Sequence, residues 1–191
     1  MAALKDVFNY YWEYTKPLYC EIEARDNALP VELLFEIHAA FDHLARHTTC
    51  GEDLDDCVNK ALSHLKRGCL DAFKLKHRNF KDDVDLFLKN KVDFSYLDNG
   101  RFLSSLMKDR RHIDDLVVKA RLAESKSDTT DAFKYWTEVS LAIDSFCDRY
   151  LKDGEKLIWA KNKTFALVGK ESIISFITGV LSSSLIWWLT S

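Results

Sequence analysis

From Ser172 to Thr190 nineteen consecutive residues carry no charge, within the stretch SIISFITGVLSSSLIWWLTS. An exposed helix of that length keeps a charged face, so this segment must bury itself against the rest of the chain or among lipid tails. At about 1.5 Å per residue it spans roughly 28 Å, close to the ~30 Å hydrocarbon core of a bilayer. Trp187 and Trp188 stand at its far end, where indole rings favour the membrane–water interface; Lys156, Lys161, Lys163 and Lys170 precede it and nothing basic follows. That asymmetry predicts a single-pass transmembrane helix over 172–190, placed in the inner membrane with the bulk of the chain in the cytoplasm. The approach segment 154–171 mixes lysines with Trp159 and Phe165, which suits an anionic headgroup surface. Membrane-interface contacts are expected at Trp159, Lys161, Lys163, Lys170, Trp187 and Trp188, with the lipid bilayer as partner.

The polar atoms of the run are one-sided. Ser172, Ser175, Gly179 and Ser182 follow at spacings of three, four and three, and Ser175/Gly179 and Gly179/Ser183 are both small-xxx-small pairs. Such pairs let helix backbones approach closely in lipid, so Ser172, Ser175, Gly179, Ser182 and Ser183 form the expected association face, or the wetted lining of a pore in a larger ring. A plain anchor that merely tolerates its serines is the simpler alternative. The triplet Ser182-Ser183-Ser184 speaks for a third option, a terminal helix buried in the globular body.

Residues 1–153 read as an α-helical domain. Six glycines and two prolines in 191 residues leave too little punctuation for a sandwich or barrel, and no stretch alternates with a period of two. Residues 3–26 repeat Leu4, Val7, Phe8, Tyr11 and Leu18 near helical spacing, with Pro17 kinking or dividing the helix. Phe8, Tyr10, Tyr11, Trp12 and Tyr14 are more aromatics than one buried stripe needs, so the choice lies between an aromatic core and a partner surface. A second helix opens at Pro30 with the stripe Leu34, Ile37, Phe41 and Leu44. A third starts near Leu54 with Ala61, Leu62, Leu65, Cys69 and Phe73 inward, its charged far end being a continuation or a separate helix. Asn99-Gly100 marks a turn. Two more helices follow, one with Phe102, Leu106, Ile113, Leu116, Val117 and Ala120 inward, the other with Phe133, Trp136, Val139, Ile143, Phe146 and Tyr150. The expected fold is all-α, a bundle of about five to six helices with a C-terminal single-pass transmembrane helix.

Net charge of -3 gives no drive toward nucleic acid, and no DNA partner is expected. The five cysteines show no C-x-x-C spacing, so neither a zinc site nor a disulfide framework is indicated. No cofactor or metal is called for, and reduced thiols fit a cytoplasmic body.

The chemistry-bearing pattern is a repeated H-L-x-R. His43-Leu44-Ala45-Arg46 and His64-Leu65-Lys66-Arg67 lie 21 residues apart, on helices expected to pair as an antiparallel hairpin. With the turn near Gly51 to Asp55, His43 falls opposite His64 and Glu36 opposite Asp71. Glu36, His43, His64, Arg67 and Asp71 then share one lane. Such a lane serves as acid–base machinery, as a phosphate pocket, or as a polar network that fixes the hairpin register. The remaining histidines (His38, His47, His77, His112) carry no special context, and most of them read as solvated. The run KDRRHIDD (108–115) reads as a salt-bridged exposed face.

The paired segments EIHAAFDHLARH and NKALSHLKRGCLDAFKLK, in a helical domain joined to a membrane segment, resemble the HEPN-like all-α proteins. They also resemble the membrane-anchored effector and accessory proteins of bacterial anti-phage defence. The active ribonucleases of the HEPN family carry Arg, four to six residues, then His; no arginine here has His at that distance, so RNase activity is not implied. The resemblance implies a homo-oligomeric helical effector that perturbs or permeabilises the inner membrane, with a defence-system sensor protein or its nucleotide or RNA signal as partner. The alternatives are a membrane-tethered phosphate- or RNA-acting enzyme using His43, His64, Arg67, Glu36 and Asp71, and a passive tail-anchored adaptor.

Overall fold

The computed structural model describes residues 3–89, 92–126, 129–152, 154, 156–166 and 174. Those residues form an all-α helical bundle with no strand among them. In chain order they are α1 (Leu4–Tyr10), a π-helical turn (Tyr11–Thr15), α2 (Lys16–Asp26), α3 (Val31–Cys50) and α4 (Leu54–Leu88). Two 3-10 turns (Phe94–Tyr96, Asp98–Gly100), α5 (Phe102–Ser125), α6 (Thr129–Phe146) and a second π-helical turn (Cys147–Leu151) follow. Residues 156–166 are helical again. The uncharged run 172–190, with Ser172, Ser175, Gly179, Ser182, Ser183, Trp187 and Trp188, lies outside the described residues except for Ile174, as does Lys170. Among the described residues no helix is long and apolar enough to cross a membrane.

Pro17 explains the first π turn. It has no N–H to return to the preceding turn, and the backbone widens there, Lys16 N–H reaching back five residues to the Tyr11 carbonyl. Asn99 and Gly100 both adopt left-handed backbone, as the turn reading requires. The charged far end of α4 continues the same helix, because Phe80 and Val84 prolong its buried stripe for two more turns.

The chain forms two compact units. The first comprises Met1–Asp85 and His112–Asp144. Its core lies along α4, whose Val58, Ala61, Leu65, Cys69, Phe73 and Phe80 are buried, with Leu33 and Ala40 of α3 and Trp136, Val139 and Ile143 of α6 buried in the same unit. Here α3 corrects the expectation. Its buried stripe is Leu33 and Ala40, while Leu34 and Phe41, expected inside, are exposed and Ile37 and Leu44 are half-covered. The crossing with α4 is the reason. A Cβ at Gly68 would stand 2.8 Å from Leu33 Cδ1 and 2.9 Å from Glu36 Cβ, so the glycine admits α3 on its Leu33/Glu36 side. That close approach offsets the ~1 kcal/mol a mid-helix glycine costs. Lys76 is also in this core, with a 1% exposed side chain bonded to Glu21 Oε1 (2.6 Å), Asp144 Oδ1 (2.8 Å) and Ser140 Oγ (2.8 Å).

The second unit comprises Leu86–Arg111 and Ser145–Ser191. Phe87, Phe94 and Phe102 stack at 5.5–6.3 Å, and Tyr150 meets Phe102 edge-on at 5.5 Å. Asp109 accepts from Arg149 Nη1 (2.9 Å) and Tyr150 Oη (2.7 Å), so the first acid of KDRRHIDD is paired as the charge pattern suggested.

Candidate functional site

The hairpin of α3 and α4 carries the polar lane. Gly51, left-handed at φ 71°, closes α3, and Asp53 caps α4 by accepting from Asp56 N at 2.9 Å. His47 donates from Nδ1 to the Glu52 carbonyl at 2.7 Å, tying the end of α3 to the loop. With the register held this way, Glu36 reaches α4 between His64 and Gly68. Its Oε2 accepts from His64 Nδ1 at 2.6 Å and its Oε1 lies 3.7 Å from Arg67 Nη1. The His43 ring stacks on His64 with centroids 5.2 Å apart and planes at 27°. His43 Nδ1 is buried without a hydrogen-bond partner among the described residues.

Four of the five predicted residues therefore come together, and Asp71 does not join them. Glu36 instead meets His64 and Gly68, short of Asp71 along α4. Asp71 lines a cavity together with Pro30 and Glu32 and is bonded to Lys74 at 3.1 Å. Lys74 also pairs with Glu124 at 3.3 Å, and Glu124 accepts from Trp136 Nε1 at 2.5 Å.

A cavity of about 580 Å³ opens next to Arg67, lined on α4 by Asn59, Ser63, Lys66 and Arg67 and opposite by Tyr10 and Phe133. Both charged side chains of that lining are cations. The Tyr10 hydroxyl is buried, and burial, reinforced by the neighbouring Cys69 thiol, pushes its pKa well above the ordinary tyrosine value. Burial likewise raises the pKa of the Cys69 thiol, against the opposing pull of its 3.4 Å hydrogen bond with Thr15 Oγ1. Chemically, a carboxylate-oriented imidazole with an adjacent guanidinium can move a proton beside a bound anion. Among the described residues no His, Cys, Asp and Glu side chains gather into a metal-binding group.

Two residues stand apart from their sequence reading. His77 is largely buried rather than solvated, 6.3 Å from the Trp136 ring; desolvation pushes its imidazole pKa down, against the opposing pull of Asp114 at 3.8 Å. Lys76 falls at the start of the charged far end of α4, where the sequence reading expected no core residue. Its position gave the signal: Cys69, Phe73, Lys76 and Phe80 fall at spacings of four, three and four, a core stripe with a lysine in it.

In the second unit, the helix at 156–166 buries Ala160 and exposes Ile158, Trp159 and Phe165. Lys163 Nζ stands 5.8 Å from the Trp159 ring and Lys161 Nζ 6.0 Å from that of Phe165. Thr164 Oγ1 accepts from Asp93 N at 3.0 Å and holds the helix in place.

No protein-family model matches the chain, and no curated protein or solved structure is significantly similar to it.

The lane separates into a structural and a dispensable part. Arg67→Ala removes a 61% exposed side chain with one long ion pair and is expected to change stability by no more than about 0.5 kcal/mol. His64→Ala leaves the Glu36 carboxylate, only 19% exposed, without its hydrogen bond and is expected to cost about 1–3 kcal/mol. Urea denaturation of both variants checks this, and equal losses would refute the division.

Proposed function

We propose that this chain is a membrane-anchored helical effector whose body receives a partner or signal and whose C-terminal run enters the bilayer. The observation that carries the reading is the helix at 156–166, where Ile158, Trp159 and Phe165 face outward among Lys161 and Lys163. Exposed indole and aliphatic groups beside lysines match the headgroup boundary of an anionic membrane, apolar part inward and ammonium at the phosphates. They stand directly before the nineteen uncharged residues of 172–190, long enough to span. In this reading copies gather through Ser172, Ser175, Gly179, Ser182 and Ser183 and perturb or permeabilise the inner membrane. The resemblance noted above extends this to bacterial anti-phage defence.

The test is dye release from anionic vesicles bearing the full chain. Replacing Ser175, Gly179 and Ser183 together with Leu is expected to slow release at least about tenfold while membrane binding persists, because close helix contact is lost and hydrophobicity is not. Unchanged release in that variant removes the association face; no membrane binding by the wild type removes the proposal.

A second reading has one observation in its favour. The cavity beside Arg67 presents Lys66 and Arg67 without a lining carboxylate, as a site for a phosphate-bearing signal or substrate would. Arg67→Ala is its discriminating variant, since response to such a ligand is then lost with stability kept.

A further inference from the structure

We propose that the apolar groove between α1 and α3 is a two-fold self-association surface, filled by the same face of a second copy of this chain. Phe8 and Trp12 form one bank and Leu34 and Phe41 the other, around about 580 Å³ floored by Ala40 and Leu65. No Asp, Glu, Lys or Arg lines it, so covering it strips water from no charged group. His38 is the one titratable imidazole among the described lining residues, and Lys16 lies over the Trp12 ring with Nζ 3.8 Å from the centroid.

Three observations select a second copy as the occupant. The first is shape. Trp12 is 60% and Phe41 69% exposed, so the face carries its own projecting rings beside its own hollow. A two-fold contact brings the projections of each copy to the hollow of the other, and one surface supplies both halves. The second is area. The four bank residues together with Ile37 and Leu44, which also line the groove, leave on the order of 500 Å² of surface in water. A standard interface covers about 800 Å² per partner, roughly 65% of it apolar in homodimers, which is again about 500 Å². The third is rigidity. Phe8 stands in α1 and Trp12 in the π-helical turn that follows it, so both are carried on helical backbone and no loop has to order on contact.

The inference does not rest on the membrane reading, because every residue it uses belongs to the first compact unit. The test is the mass of the full chain in mild detergent, by light scattering across a dilution series. Wild type is expected to dimerise, and Phe41→Glu to weaken dimerisation at least about 100-fold, since the two-fold axis introduces each carboxylate twice into an apolar centre. Trp12→Lys is expected to act in the same direction. Phe35→Glu is the control: Phe35 is 68% exposed but does not line the groove, and its variant should match wild type. Circular dichroism confirms that the helices persist. A photo-crosslinker at position 41 is expected to join two copies through Phe8, Trp12 or Phe41. A monomeric wild type, an oligomer indifferent to Phe41→Glu, or a Phe41→Glu variant that loses vesicle binding at unchanged mass each overturns the proposal, the last by assigning the groove to lipid.

Discussion

Removing the two carboxylates that hold Lys76 is expected to destabilise the protein far more than removing Lys76 itself. The ammonium is 1% exposed, whereas the side chains of Glu21 and Asp144 are 41% and 52% exposed. The charge that has lost its water is therefore the lysine's. In Lys76→Met the buried charge disappears, a straight chain of similar volume fills the space, and both carboxylates turn to solvent. Exchanges of this kind are neutral or even stabilising, and a loss of no more than about 1 kcal/mol is expected. In the double variant Glu21→Ala, Asp144→Ala the ammonium stays buried with Ser140 as its remaining recorded partner. An uncompensated buried charge costs about 3–5 kcal/mol, a fall of roughly 10 °C or more in Tm for a chain of this size. Thermal and urea denaturation of the two variants measure the difference. Equal losses would mean that the lysine's methylenes, and not its charge, stabilise this part of the core.

The triad also shows where the sequence was legible and where it was not. The α6 stripe was readable because apolar residues recur along one face, and Trp136, Val139, Ile143, Phe146 and Tyr150 are buried as expected while Phe133 is half-buried. Helix α3 offered two adjacent stripes, Leu33/Ala40 and Leu34/Phe41, and periodicity cannot rank neighbours 100° apart on one helix. The choice was made by a residue on another helix: Gly68 lets the backbone of α3 approach on the Leu33/Glu36 side. The same contact decided the site. His43 and His64 met as the antiparallel reading required. Asp71 did not, because Glu36 bonds His64 and packs against Gly68, short of Asp71 along α4, a crossing that no propensity in either helix encodes. Lys76 was hidden for a different reason. A lone lysine in a charged run reads as solvated until tertiary contacts bring Glu21, 55 positions earlier, and Asp144, 68 positions later, to the same point.

Placing Lys at both Ile177 and Leu181 is expected to move the full chain from the membrane fraction to the aqueous one. Both positions lie away from the Ser175/Gly179/Ser183 side of the run, so as a helix in lipid each lysine would face acyl chains without a carboxylate to pair with, since the run holds none. A lysine near the centre of a span costs about 2.5–3.5 kcal/mol, and two cost roughly 5–7, a change in partition of about four orders of magnitude or more. Against this stand only the modest length and hydrophobicity of the segment, which leave little reserve. The exposed Ile158, Trp159 and Phe165 with their lysines supply at most a reversible, salt-sensitive hold on an anionic surface. The double variant should therefore bind vesicles weakly and be released by ~0.5 M salt, where the Debye length is well below 10 Å, while the wild type resists both salt and carbonate extraction. The same substitutions also separate the span from its rival, a terminal helix packed on the globular body. There, two buried lysines would lower Tm and leave a soluble wild type soluble, whereas lipid-facing lysines change location and leave the melting of the helical body where it was. A wild-type chain that carbonate strips from membranes, combined with a Tm drop in the variant, rules out the span.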